Sequence, residues 1–474
     1  MNRRTIAPVL LAFALASVVS SAGAQTPAPS VSVVESVDAY MREAMAKRHV
    51  PGASVAVVKD GKVLLSKGYG LANVELGVPA TDQTVYQLAS VTKTFTATAV
   101  MLLVGDGKLK LDDKISDRLK DLPAAWKDVT VRQLLTHTSG IKSYTSVKDF
   151  DKMTRKDFAP REILDLVAKE PLEFPSGEKW QYSNTGYFLL GMIVEQASGK
   201  PFGEFLAERI FRPLGMTKTR VNDLRAVIPG RAQGYEWDGK ELKNGEYVSP
   251  TQPFSAGALV STVADLVKWD AALAGGKILD GPTLEKMWKP TPLKEGEASY
   301  GFGWGVTKVA GHREVAHGGG IPGFSTEIAR FLDDRLTIIV LTNLEGGHAG
   351  EMARKIAGLV VPALVEKPLE PIADADEAAT KRLRGVLEAA VKGEADPDLF
   401  AEAAKTALVP RIKETAGKLP DFGALKAFQL VERKEVGETL RLRYRAAFAN
   451  ETVRASFVLD KAGKVAGLMI QPGE

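Results

Sequence analysis

The chain has 474 residues, 45% hydrophobic and 25% charged, the make-up of a globular protein long enough for more than one core. A formal charge of +4 argues against nucleic acid or an anionic membrane surface as the main partner. With no cysteine and five histidines, the chain has no disulfide, no thiol nucleophile and no thiolate ligand, and a dedicated transition-metal site is not expected.

Residues 1–24, MNRRTIAPVLLAFALASVVSSAGA, place Arg3 and Arg4 before an apolar stretch and end on Ala22-Gly23-Ala24. This charged, apolar, small-residue order predicts a cleaved export signal and a periplasmic or secreted protein. Its removal takes the formal charge to +2. No later segment is apolar enough to span a bilayer, so no transmembrane segment is expected after cleavage.

A helical pattern over Ser36–Lys47 leads into ASVAVVKDGKVLLSKGYG, which reads as a hairpin turning at Asp60-Gly61. A long stretch of helical segments and loops follows from Ser90 to about Leu273. Strand character returns in YGFGWGVTKVAGHREVAHGGG and in STEIARFLDDRLTIIVLTNL, with Asp333-Asp334 as a turn. AGEMARKIAGLVVPALV then reads as one amphipathic helix. Strands at both ends with helices between predict a single sheet assembled from distant parts of the chain and covered by helices.

The proline- and acid-rich stretch EKPLEPIADADE marks a linker, dividing a unit at 25–366 from a small α+β unit at 378–474, with 367–377 between. In that last unit two helical segments reach about Ala416 and three strands follow. In ETLRLRYRAAFAN, Leu440, Leu442, Tyr444 and Ala446 alternate with Arg441, Arg443 and Arg445, which predicts one buried face and one solvated basic face.

The stretch QLASVTKTFTATAVMLLV sets Ser90 and Lys93 three residues apart, on one face of a helix that is apolar on nearly every side. Ser139/Lys142 and Ser176/Lys179 share the spacing, but each serine is followed by glycine in a turn-like setting. A serine hydroxyl is a weak nucleophile until a neighbour takes its proton. Lys93 could do so if burial lowers its pKa. Ser90 at a helix start would also aim its backbone N–H at an oxyanion.

The sole Tyr-x-Asn is Tyr182-Ser183-Asn184. A tyrosine between two cations can lose its proton near neutral pH and relay protons, while the amide holds a substrate carbonyl. His317-Gly318-Gly319-Gly320 ends a candidate strand, where glycines would let substrate lie along the strand edge and the N–H of Gly320 could serve as an oxyanion donor. His348-Ala349-Gly350 matches the same pattern but opens a helix.

Ser-x-x-Lys, Tyr-x-Asn and His-x-Gly in this order resemble the serine β-lactamase-like family of class C β-lactamases, D-alanyl-D-alanine carboxypeptidases, D-aminopeptidases and related esterases. VRQLLTHTSGI, IFRPLGMTKT, SAGALVSTVADLVKW and YGFGWGV add to the likeness, which runs from about Ser36 to Val365. The resemblance implies an α/β (α+β) fold: an antiparallel sheet flanked by helices plus a mainly helical lobe, with the site at their junction. It implies Ser90 as acylated nucleophile, Lys93 and Tyr182 as acid–base groups, and Asn184, His317, Gly319 and Gly320 as substrate-binding positions. Ser90 and Gly320 would supply the oxyanion N–H groups, and His137 reads as structural. No cofactor is implied.

One departure matters. Efficient β-lactamases of this family generally carry Lys-Thr-Gly or Lys-Ser-Gly where this chain has His317-Gly318-Gly319. Histidine is mostly neutral at pH 7 and glycine has no hydroxyl, so the anchor for a substrate carboxylate is weakened. The expected function is an exported serine hydrolase that acts through an acyl-enzyme on amide, peptide or ester bonds, with peptidoglycan fragments among its candidate partners. The alternatives are a class C-type β-lactamase and a non-turnover penicillin- or peptidoglycan-binding sensor.

Overall fold

The computed structural model describes residues 31–365, 367, 369–415 and 422–472. The export signal read at 1–24 lies outside them. Helix α1 (Val31–Lys47) precedes a hairpin of β1 (Gly52–Lys59) and β2 (Lys62–Asn73). Its turn places Asp60 and Gly61 at φ 52° and 74°, the left-handed pair that a tight hairpin requires and that Asp-Gly readily adopts.

With β3 (Val78–Pro79), β4 (Gly305–Val309), β5 (His312–Ile321), β6 (Phe324–Phe331) and β7 (Leu336–Thr342), the hairpin completes a seven-stranded sheet in the order β4-β5-β6-β7-β1-β2-β3. Neighbours pair antiparallel throughout. Ala53 stands opposite Thr342, so the first strand is joined to the last, as the expected single sheet requires. Val55 and Val57 point to one side and Ala56 to the other, the period-two division of a strand covered on both faces.

A mainly helical lobe lies between β3 and β4 in the chain, with α2 (Thr92–Gly105), α3 (Asn184–Ser198) and α4 (Val263–Ala274). It covers the face that carries Ala56, Ile328 and Ile339, and Phe95 of α2 stacks on Trp269 of α4 at 4.5 Å. The other face packs Val55, Val57, Ile338 and Val340 against Val37 and Met41 of α1 and Met352 and Ile356 of α5 (Ala349–Val360).

Three local expectations need correction. The amphipathic helix expected to continue through Val365 stops at Val360: Pro362 has no N–H to donate and pushes Val361 out of helical geometry, to φ −128° and ψ 93°. The central stretch also contains a small sheet of Tyr86–Gln87, Leu259–Ser261 and Arg220–Val221, segments too short to show alternation.

The C-terminal unit, with α6 (Glu377–Ala390) and α7 (Glu402–Thr415), has four strands rather than three. They are β8 (Leu425–Val436), β9 (Thr439–Phe448), β10 (Thr452–Leu459) and β11 (Val465–Pro472). The unexpected one, β8, shifts register between Leu430 and Glu432, so that Leu430 and Val431 are both buried and the alternation breaks. On β9, Leu442, Tyr444 and Ala446 are buried as expected. Arg443 pairs with Glu432 at 3.1 Å and Arg445 donates to Gln429 at 2.9 Å on the solvated side.

One ion pair ties the lobe to the sheet. Arg330 Nε of β6 donates to Asp270 of α4 at 2.7 Å, and Thr337 of β7 donates to the same carboxylate oxygen at 2.8 Å. Both charged side chains are buried, at 6% and 5% exposure. Removing one member of such a pair strands the other charge, at a cost of about 3–5 kcal/mol. Asp270→Ala is therefore expected to lower the unfolding free energy by about that amount in urea denaturation. A loss below about 1 kcal/mol, the scale of an exposed pair, would show that the bridge does not hold the layers together.

Candidate active site

Ser90 sits on a single 3-10 turn, Ala89–Val91, that feeds directly into α2, so it stands just before the helix rather than within it. Ala89 adopts φ 46°, a left-handed conformation that is strained for a residue with a side chain. Flanking bonds hold it there: Leu88 N–H donates to Leu259 O at 2.8 Å, and Thr326 Oγ1 donates to Leu88 O at 2.8 Å. The turn is thereby fixed between the small three-stranded sheet and β6.

Helix α2 is buried almost all round, yet its sequence TKTFTAT is rich in threonine. Each hydroxyl is bonded locally or to the segment that crosses it. Thr94 donates to Val91 O, Thr98 to Thr94 O, Thr96 to Ser255 O, and Thr92 accepts from Leu259 N–H. Satisfied in this way, the hydroxyls can be buried without penalty. Lys93 is consequently walled off from water, at 0% exposure.

Its amine makes three contacts: Ser90 Oγ at 3.0 Å, Asn184 Oδ1 at 2.9 Å and Ala256 O at 2.7 Å. Burial pushes the Lys93 pKa well below its ordinary value. A neutral amine has two protons and one lone pair. Asn184 Oδ1 and Ala256 O can only accept, so they take the two protons, and the lone pair falls toward the Ser90 hydroxyl.

Asn184 opens α3, where Ser183 caps the helix by accepting from Gly186 N–H. Its amide is held from both ends, since Nδ2 donates to Thr145 Oγ1 at 3.1 Å while Oδ1 receives Lys93. Tyr182 is half-buried, hydrogen-bonds the Ser90 side chain, and presents its ring to the Lys93 amine at 4.8 Å. The expected phenolate is disfavoured. Burial drives the Tyr182 pKa up, against a smaller lowering by the bond to Ser90, and burial also pushes the pKa values of Lys93 and His317 down, away from the pair of cations that would favour it.

His317 lies on β5 at 7% exposure. Its Nδ1 is 2.7 Å from Gly318 O, an acceptor only, so the ring proton resides there, and Nε2 accepts from the Tyr300 hydroxyl at 2.9 Å. Burial first, and Lys93 second, lower its pKa to about 3, so it is uncharged. The His317 ring centre is 6.4 Å from that of Tyr182. A Cβ on Gly319 would fall 2.2 Å from Leu88 O and 2.3 Å from Thr326 Oγ1, so the missing side chain is what lets β5 close on the Ser90 turn. Gly320 faces open space, and β4 pairs with β5 only as far as Ala316, which leaves the edge of β5 beyond it without a strand among the described residues.

Ser90, Lys93, Tyr182 and Asn184 thus share one hydrogen-bonded cluster, with Gly319 packed beneath it. The competing pairs form no such cluster: Lys142 reaches Glu170 at 3.1 Å on the surface, and His348 pairs with Glu351 at the start of α5.

The family model described as Beta-lactamase matches residues 37–361. The chain belongs to that family. Penicillin-binding protein 4* of Bacillus subtilis is 34% identical to it over 328 residues, which span 66% of this chain and 72% of that protein. Among solved structures, the octameric penicillin-binding protein homologue from Pyrococcus abyssi has a TM-score of 0.63 at 25% identity, covering 93% of this chain and 98% of its own. D-amino acid amidase from Ochrobactrum anthropi SV3, complexed with D-phenylalanine, has a TM-score of 0.60 at 28% identity, covering 70% and 98%.

Like its β-lactamase-family relatives, the chain is a serine hydrolase. Sequence reasoning missed four participants in the site: Ala256, Thr145, Ser143, whose hydroxyl accepts from Asn184 N–H, and Tyr300. Ala256 and Tyr300 lie in SAGALVST and YGFGWGV, stretches already singled out for their likeness to the family.

Two outcomes are expected for this β-lactamase-family site. Between the depressed folded pKa of Lys93 and about 10.4, the unfolded chain holds a proton that the folded chain lacks, so the Lys93 contribution to stability rises with pH and is lost as pH falls. Lys93→Met abolishes this term, and the melting temperature of wild type minus that of K93M should increase from pH 7 to pH 10. A flat difference would mean a charged Lys93. Separately, Gly319→Ala forces β5 off the Ser90 turn, and since an ångström-scale misplacement costs on the order of a hundredfold, kcat should fall at least tenfold. Unchanged steady-state turnover would show that the contact is slack.

Proposed function

We propose that the chain is an exported serine amidohydrolase or esterase that works through an acyl-enzyme and prefers substrates without a carboxylate beside the scissile bond. The observation that carries the reading is the Lys93 amine, dry and held by two acceptors so that its lone pair addresses Ser90. In this reading Lys93 takes the Ser90 proton as Oγ attacks the carbonyl carbon. The oxyanion is received by the backbone N–H groups of Ser90 and Gly320. Tyr182, protonated at rest, gives its proton to the departing nitrogen or oxygen and is reprotonated from Lys93. Water then releases the acyl group by the same steps in reverse. Asn184 keeps Lys93 aimed and offers its amide to the substrate carbonyl.

The substrate class follows from charge. A cleft whose histidine and lysine are both neutral provides no fixed cation for a carboxylate. A charge-assisted hydrogen bond is worth about 1.5–3 kcal/mol, so carboxylate-terminated peptides and β-lactams lose their anchor while amides and esters lose nothing. Its likeness to a D-amino acid amidase and to a penicillin-binding protein fits the same acyl-enzyme chemistry. Export rests on the signal read at 1–24; among the described residues no helix is long and apolar enough to cross a membrane.

A fluorophosphonate or penicillin probe should label wild type and not Ser90→Ala. In a panel of D-amino acid amides, short esters, peptides ending in D-Ala-D-Ala and cephalosporins, kcat/KM should be higher for amides and esters by about tenfold or more. Nitrocefin turnover at the rate of a dedicated β-lactamase would overturn the reading.

A further inference from the structure

His137 is a buried group to which the proposed chemistry gives no part. It is 1% exposed, at φ 58°, and lies on the segment just after the short helix Val131–Leu135. That segment is bonded to the stretch leading to Tyr182: Gly177 N–H donates to Thr138 O, Glu173 N–H to Gly140 O, and Ser176 Oγ to Ser139 O.

Within this lattice His137 alone holds both residues that flank Tyr182. Its carbonyl accepts Gln181 N–H at 2.9 Å, and its ring Nδ1 accepts Ser183 N–H at 3.1 Å. Its ring also packs on that of Tyr182, with centres 4.3 Å apart. Because Nδ1 accepts from an amide, the ring proton belongs on Nε2, which is buried without a hydrogen-bond partner. The protein tolerates one unsatisfied donor to keep an acceptor and an aromatic face in this place. Burial first, then Lys93 and His317, keep the ring from protonating, so the acceptor persists.

We propose that His137 is a positioning residue for the proton relay: it clamps the backbone on both sides of Tyr182 and supports the phenol ring, keeping the hydroxyl on Ser90. The inference rests on the reading in which Tyr182 carries the proton to the leaving group. It predicts a defect in turnover rather than in binding, largest where the leaving group most needs a proton.

The test is a double-mutant cycle on the full chain. His137→Phe keeps a ring and removes the acceptor; His137→Asn keeps an acceptor on a short side chain that tolerates positive φ. With an amide substrate, H137F should lower kcat by about 10–100-fold, with KM within about twofold. H137N should recover part of that loss. With a p-nitrophenyl ester, whose leaving group departs without a proton, the H137F defect should shrink to a few-fold. In a Tyr182→Phe background neither His137 variant should lower kcat further by more than about twofold.

If Y182F itself leaves amide turnover unchanged, the relay reading fails. If Y182F is impaired but the His137 losses persist undiminished in its background, the relay stands and the clamp is overturned. Wild-type kcat in a folded H137F also overturns the clamp. Should H137F not fold, H137N decides by the same cycle: a loss that disappears with Y182F supports the clamp, while no loss, or one that persists with Y182F, overturns it.

Discussion

The structure depends on keeping one amine dry. Lys93 would be an ordinary surface cation if water reached it; enclosed, its pKa is pushed down toward the neutral form that the proposed role of base requires. Enclosure needs cover from every direction, which accounts for an α2 without a polar face. It also accounts for threonines that bond back into the backbone and for the stacking of Phe95 on Trp269 behind the helix. The bonds that orient the amine, from Asn184 and Ala256, come from two segments distant in sequence, so the chemistry of Ser90 is a property of the whole lobe.

The same dryness explains the electrical character of the cleft. A carbonyl, an amide and a serine hydroxyl surround Lys93, no carboxylate bonds it, and the nearby histidines are themselves held neutral by burial. Tyr182 keeps its proton for the same reason. The site is a set of uncharged groups whose protons are placed by geometry, with His317 engaged by Tyr300 and Gly318.

Local patterns were readable in the amino-acid sequence. Ser90 and Lys93, three residues apart, come within hydrogen-bond reach, Asp60-Gly61 demands a tight turn, and the arginines of β9 alternate with apolar residues. Quantities set by enclosure were not readable. Whether Tyr182 is ionised depends on what lies around it in space, and its neighbours in sequence suggest nothing of its burial. Ala256 contributes only a carbonyl, which no residue type advertises. Tyr300 resembles any aromatic beside glycines until its hydroxyl is seen on His317. Strand β8 escaped because a bulge turns two successive side chains inward, and the short strands beside Ser90 are stabilised only by remote partners.

The pairing of β1 with β7 bears on how the molecule comes into being. Residues 52–59 pair locally with β2 but wait for residues 336–342 along their other edge, and the Ser90 turn waits for Thr326 and Gly319. A chain emerging amino end first therefore carries its reactive alcohol through most of synthesis beside a hydrated, protonated amine. Such long-range closure is slow compared with local helix formation. The Ser90 turn therefore lacks its contacts with β6 and β5 until the chain has grown past residue 342, so a nascent polypeptide shorter than that has no assembled site.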